Sequence, residues 1–361
     1  MLRVKRQDIE DLAVGAAILG TGGGGDPYIG KLMAHQVIER KGPIELLDPA
    51  EIDDEALVIP SAAMGTPTVL IEKVPSGDEA IKAFELLQKY LNKKATCTCP
   101  IEAGGVNSTI PFVVAGAMNI PVVDADGMGR AFPELQMVSF TIYGVKASPM
   151  AMADEKGNGV LFETIDNLWT EKIARVTTIK MGGTAWIALY ACNGNKFKES
   201  SICRTVSKGI EIGRSLREAK ARGVNQLDAL LDSTSGHLIF RGKIVGVERA
   251  NIGGFARGEA TIQGLDDYKG QTMTIRFQNE NLVAEVDGRI IASVPDLICI
   301  IDSETIKPIT TERLRYGYRV LVVACPCSEK WRSSEGLKLV GPKYFGYDIE
   351  YQPIEKIARG G

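Results

Sequence analysis

A chain of 361 residues that is 45% hydrophobic can fill two cores, which excludes a disordered or fibrous protein. Its 42 Lys+Arg against 45 Asp+Glu, with a pI near 5.7 and no basic block, provide no field to draw in a polyanion, so nucleic acid is not an expected partner. The first ten residues are charged throughout and every apolar run is broken well short of a bilayer span, so neither export nor membrane insertion is expected.

Residues 8–19 place Ile9, Leu12, Ala13, Ala16 and Ala17 at helical spacing, and Asp26-Pro27 supplies an N-cap and first-turn proline for a second helix to about residue 40. Short β-like segments follow at 44–47, 57–60, 95–99 and 120–124, separated by helical stretches at 78–91 and 108–117. This alternation predicts a layered α/β domain over residues 1–165. The chain from 166 to 361 reads as a helical connector and then a largely β domain. The connector holds a helix at 166–175, a strand at 186–191 and a helix at 202–222. After Gly236 the segments 237–247, 256–263, 272–278, 282–286, 289–293, 297–302 and 319–324 are β-branched and punctuated by Gly, Asn or Asp, as antiparallel strands are. The aromatic, Gly-rich tail is expected to pack back on the body.

The run Gly20-Thr21-Gly22-Gly23-Gly24-Gly25 fits the letters of a dinucleotide fingerprint, and Asp48 lies 23 positions after Gly25. A helix, not a strand, precedes it, so the better reading is a loop whose backbone N–H groups converge on an anion at the next helix start; a plain turn between packed helices is the alternative. Four more turns carry glycine: 64–67 with Thr66, 102–107 with Glu102 and Asn107, 124–127 with Asp124 and Asp126, and 181–184. Loops beyond the carboxyl ends of strands in an open α/β sheet meet in one crevice, so these turns are expected to line a single pocket. Asp124 and Asp126, two apart in an extended segment, point the same way and suit a paired-carboxylate site, or else cap a turn. Arg130 and Glu134 either orient substrate or pair on a helix surface.

Histidine is scarce. His35 reads as a structural residue in a helix, while His237 is the better candidate for base chemistry. Two histidines do not make a three-His zinc site, although a divalent metal held by carboxylates and His237 remains open. The seven cysteines, odd in number and with Cys97/Cys99 and Cys325/Cys327 each separated by one residue, read as reduced thiols buried on strands, which fits a cytoplasmic protein. No G-x-S-x-G elbow, P-loop or H-E-x-x-H helix is present.

Five segments in order, LGTGGGGDP at 19–27, IEAGGVNS at 101–108, VVDADGMGRAFPELQM at 122–137, KMGGTAW at 180–186 and GPKYFGYDIEYQPIE at 341–355, together resemble the motif series of the S-methyl thiohydantoin desulfurase family. The resemblance covers nearly the whole chain. It implies an N-terminal α/β domain, a largely β C-terminal domain, and replacement of a sulfur substituent on a small cyclic ureide, giving a hydantoin and a thiol. Chemistry of that kind needs a base and N–H donors. The residues expected to serve are Asp124 or Asp126 as base, with His237 second. Glu102, Asn107, Thr66 and Arg130 are expected to contact substrate, and the backbone of Gly22, Gly23, Gly24 and Gly25 to bind an oxyanion or carboxylate. The expected partners are a small-molecule substrate and further copies of the chain in a homo-oligomer. A nucleotide- or dinucleotide-dependent enzyme built on the glycine run, and a non-catalytic subunit of a hydantoin-utilisation complex, are the rival readings.

Overall fold

A computed structural model describes residues 2–65, 69, 72–73 and 75–359. Among them, a nine-stranded mixed sheet forms the first layer, with the path Leu2–Val4, Ile44–Leu47, Val122–Val123, Cys97–Pro100, Leu57–Gly65, Thr184–Ala188, Met150–Ala153 and Gly159–Phe162; Cys192–Asn193 pairs with the central strand. The middle of the sheet, from Ile44–Leu47 to Leu57–Gly65, is parallel, as expected of strands linked by helical crossovers. Thr184–Ala188 then runs antiparallel to Leu57–Gly65, with Thr184 opposite Gly65. This sheet therefore extends into the connector beyond residue 165.

The helices follow the periodicity closely, at Arg6–Leu19, Tyr28–Lys41, Asp78–Leu91, Ile110–Met118, Asn167–Lys180 and Thr205–Arg222. Phe84, Leu87, Val113 and Val114 from the crossover helices pack with Trp186 on one face of the sheet. The glycine run follows the helix Arg6–Leu19, so the strand that a dinucleotide fingerprint requires is missing there. Residues 127–138, where Arg130 and Glu134 were considered as a helical pair, form bends and turns instead.

The second layer is a seven-stranded antiparallel sheet in the order Arg289–Ser293, Glu280–Val286, Thr272–Gln278, Phe255–Gly264, His237–Ile252, Arg319–Cys325, Leu297–Asp302. Successive side chains point to opposite faces of a strand, and here both faces are covered. Ile298, Ile300, Val320 and Val322 join a core within the β domain. Leu297, Cys299, Leu321 and Val323 face the other way, into the main core shared with the α/β domain. That double burial explains why 297–301 and 320–325 are uninterrupted apolar runs.

The tail is hydrogen-bonded to Asp296 of the body. Tyr351 Oη donates to Asp296 Oδ1 at 2.9 Å, and Ile354 N to Asp296 Oδ2 at 2.8 Å. Among the described residues no helix is long and apolar enough to cross a membrane.

Candidate active site

Strand Cys97–Pro100 ends at Pro100 opposite Ser61, the parallel strand Leu57–Gly65 runs four residues further to Gly65, and Thr184 begins its antiparallel strand opposite Gly65. A cavity of ≈ 90 Å³ lies there, between the two domains. Met64, Gly65 and Thr184 come to it from the sheet, and Glu102, Val106 and Asn107 from the loop after Cys97–Pro100. The glycine run contributes Gly24, the helix Asn167–Lys180 contributes Arg175, and the β domain contributes Asn279 and Glu280. Ile101, Met128, Phe132, Leu135 and Ile187 make the rest of the wall largely apolar. Three of the expected loop clusters thus meet, together with one residue of the glycine run.

Glu102 and Asn107 act as a unit. The Asn107 side chain is clamped to strand Leu57–Gly65, where its Oδ1 accepts from Ala63 N at 2.7 Å and its Nδ2 donates to Ala63 O at 3.1 Å. Nδ2 also donates to Glu102 Oε1 at 2.6 Å. Both amide hydrogens of Asn107 are therefore committed to protein groups, and it positions Glu102 instead of offering itself to a ligand. Glu102 Oε2 is buried without a partner. Burial, and then the charge of Glu280, push the Glu102 carboxyl well above the usual range.

Glu280 was not anticipated from sequence. It follows the bend at Asn279, which has φ 58°, at the start of strand Glu280–Val286. Asn281 N donates to Thr21 O at 2.8 Å and Thr311 N to Gly22 O at 2.8 Å, which docks this bend against the glycine run. A Cβ on Gly23 would lie 2.1 Å from Glu280 Oε1, so a larger residue there would displace the Glu280 side chain. Burial pushes the Glu280 carboxyl up to about 8, against the pull of the Arg130 charge and a hydrogen bond from the Gly24 backbone. Glu280 Oε2, like Glu102 Oε2, has no partner. Two buried carboxyls thus line one small cavity, each with a free oxygen.

Glu134 also lines the cavity, as the reading in which it orients substrate requires, whereas most of the other expected residues that the structure describes do not. Of Gly22, Gly23, Gly24 and Gly25, only Gly24 lines the cavity. Gly23 N donates to Gly20 O at 2.8 Å, and the following helix start is capped by Asp26, whose Oδ1 accepts from Tyr28 N at 3.0 Å and whose Oδ2 pairs with Arg313 at 2.5 Å. Gly23 N is therefore committed to a protein acceptor, and the run's glycines allow the close approach of Gly104, Gly105 and Glu280.

Asp124 and Asp126 do not share a site. The chain leaves the large sheet at Val123, and Ala125–Asp126 pairs instead with Ile202–Cys203, which breaks the alternation that would point both the same way. Asp124 Oδ1 accepts from Ser207 N at 2.8 Å and caps the helix Thr205–Arg222 from outside. Asp126 is fully buried and accepts from Ala103 N at 2.5 Å and from Gly129 N, fixing the loop that carries Glu102. Desolvation raises its carboxyl to about 7. Neither Asp lines the cavity.

Arg130 is also fully buried, behind the wall. Its guanidinium donates to Pro295 O, Asp296 O and Thr21 Oγ1 at 2.7–2.8 Å and lies over the Phe132 ring, which itself faces the cavity. It ties the domains together and holds positive charge near Glu280. His237 starts its strand opposite Ala324, away from the cavity, and His35 is buried beside Glu10. Thr66 lies outside the described residues. Among those residues no group of three or more His, Cys, Asp or Glu side chains is placed to hold a metal. Cys97, Cys99, Cys299, Cys325 and Cys327 are buried free thiols.

A family model described as the N-terminal domain of S-Me-THD-like proteins matches residues 7–164, and one described as their C-terminal domain matches residues 165–354. The fold is similar to the crystal structure of a protein from Chromobacterium violaceum, with a TM-score of 0.81 and 22% identity over 98% of this chain and 100% of that one. That likeness is one of fold. No curated protein matches the chain in sequence.

Proposed function

From the premise that the chain belongs to the S-Me-THD-like family, we propose that it hydrolyses an S-alkylated thiohydantoin or a close cyclic ureide, with Glu280 as general base and Glu102 as general acid. The family name points to an S-methyl thiohydantoin desulfurase-like enzyme. The observation that carries the assignment of residues is the pair of buried carboxyls, each with an unpartnered oxygen, on one small, mostly apolar cavity. Two buried carboxyls, both raised by desolvation and Glu102 raised further by the charge of Glu280, divide naturally into a proton holder and a proton acceptor.

Water adds to the ring carbon between the two nitrogens, giving one proton to the Glu280 carboxylate while Glu102 protonates the ring nitrogen. The tetrahedral centre then collapses. Its hydroxyl proton returns to Glu102, the carbon–sulfur bond breaks, and the departing thiolate takes the proton held by Glu280. Both carboxyls end as they began, and the products are the hydantoin and the thiol. The apolar wall of Met64, Ile101, Met128 and Phe132 suits an alkylthio group and excludes bulk water.

The test is release of methanethiol from S-methyl thiohydantoin by the pure protein, followed with a thiol reagent. A non-catalytic binding subunit would bind the ring and release nothing.

A further inference from the structure

The helix Asn167–Lys180 presents its two sides very differently. Thr170, Glu171, Ala174 and Thr178 are buried against the body, and Arg175 reaches the cavity. The opposite side is apolar and open to solvent, with Ile165 78%, Trp169 46%, Ile173 40%, Val176 61% and Ile179 57% exposed. These positions recur every three or four residues and make one continuous stripe. Each leaves on the order of 100 Å² open, so the stripe approaches the upper limit of about 600 Å² for an apolar patch on a monomer. It also supplies most of the roughly 800 Å² per partner that a standard interface buries.

The flanking charges are arranged by sign. Glu163 and Asp166 stand exposed at the amino end and Lys180 at the carboxyl end, while Lys172, near the middle, lies over the Trp169 ring at 4.9 Å. This pattern is self-complementary only when two copies run in opposite directions. We propose that the stripe is the interface with a second copy of the chain, the two helices packing antiparallel about a two-fold axis near Lys172 and Ile173. That register sets Trp169 against the partner's Val176, and Ile165 and Asp166 against the partner's Ile179 and Lys180. Opposed helix dipoles add to the same preference.

The test is the mass in solution by light scattering after gel filtration, for the wild type, Val176→Glu and Lys180→Glu. The wild type is expected at a multiple of 39.0 kDa, and Val176→Glu at half the wild-type mass with an unchanged circular dichroism spectrum. Lys180→Glu weakens association, and adding Glu163→Lys restores it. An Ile173→Cys variant is expected to form an intermolecular disulfide that the wild type, with its own cysteines, does not form. A wild type that runs as a monomer, or a Val176→Glu protein that keeps the wild-type mass, overturns the proposal.

Discussion

Asn107 donates to Glu102 Oε1 at 2.6 Å while both ends of its own amide bond the backbone of Ala63, so the carboxyl of a loop residue is tied through one side chain to strand Leu57–Gly65. This bond fills one Glu102 oxygen and leaves the other free toward the cavity. An acid that must deliver a proton within a narrow range of angle gains more from such a clamp than from any change in its own acidity.

Asn107→Ala should therefore lower kcat by about 10–100-fold while leaving KM within a few-fold, since the lost group orients the acid and does not touch the ring. The same change leaves the N–H and C=O of Ala63 without their partner, at a cost of roughly 1–3 kcal/mol in chemical denaturation. Steady-state kinetics beside a urea titration checks both.

The pH dependence of turnover follows from Glu280. Its carboxyl is raised to about 8, so the basic form that accepts the water proton grows as pH rises through that value. Log kcat/KM should climb between pH 6 and 8 with a slope of about one and level off near the Glu280 value, until Glu102 loses its own proton at higher pH. A profile flat from pH 6 to 9 would exclude Glu280 as the base.

Stability should run the opposite way. A group whose folded-state proton affinity is raised contributes most below its unfolded value, and that contribution is lost as pH rises through the folded value. For Glu280 the window lies between the ordinary glutamate range and about 8. Glu280→Gln should thus raise Tm at pH 8 by several degrees, a gain of about 2 kcal/mol, and by much less at pH 5, while abolishing most activity. Thermal melts at the two pH values separate this from a merely structural substitution.

The two aspartates that looked alike in sequence should part company. Asp124→Ala removes an external cap from the helix Thr205–Arg222, costing about 1 kcal/mol and leaving kcat intact. Asp126→Ala frees Ala103 N and Gly129 N inside the protein. It should cost about 2–4 kcal/mol and lower kcat through displacement of the Glu102 loop.

Much of this architecture is legible in the sequence. Apolar spacing marked the helices, and β-branched runs between glycines marked the strands of the second sheet, because those signals are local. The hairpin of Met150–Ala153 and Gly159–Phe162 was not seen. Its MAMA strand carries no β-branched or aromatic residue, and burial within the sheet overrides that weak preference. Glycine-bearing turns drew attention to Glu102 and Asn107, which line the cavity. Glu280 escaped because it stands between Asn279 and Asn281, a polar triplet that reads as an exposed bend, and only docking of the domains buries it. Asp124 and Asp126 attracted attention through a spacing that holds for one strand, whereas the chain changes sheets between them.

The most direct test is single-turnover release of methanethiol from S-methyl thiohydantoin at pH 8 by the wild type, Glu280→Gln and Glu102→Gln, with each protein's fold verified by circular dichroism. Thiol should appear with the wild type and slow by about 10²–10⁴-fold in either variant, the range expected for loss of a general acid or base. Wild-type rates in both variants would contradict the carboxyl pair as the catalytic machinery, and binding of the ring without any thiol from the wild type would contradict the reaction itself.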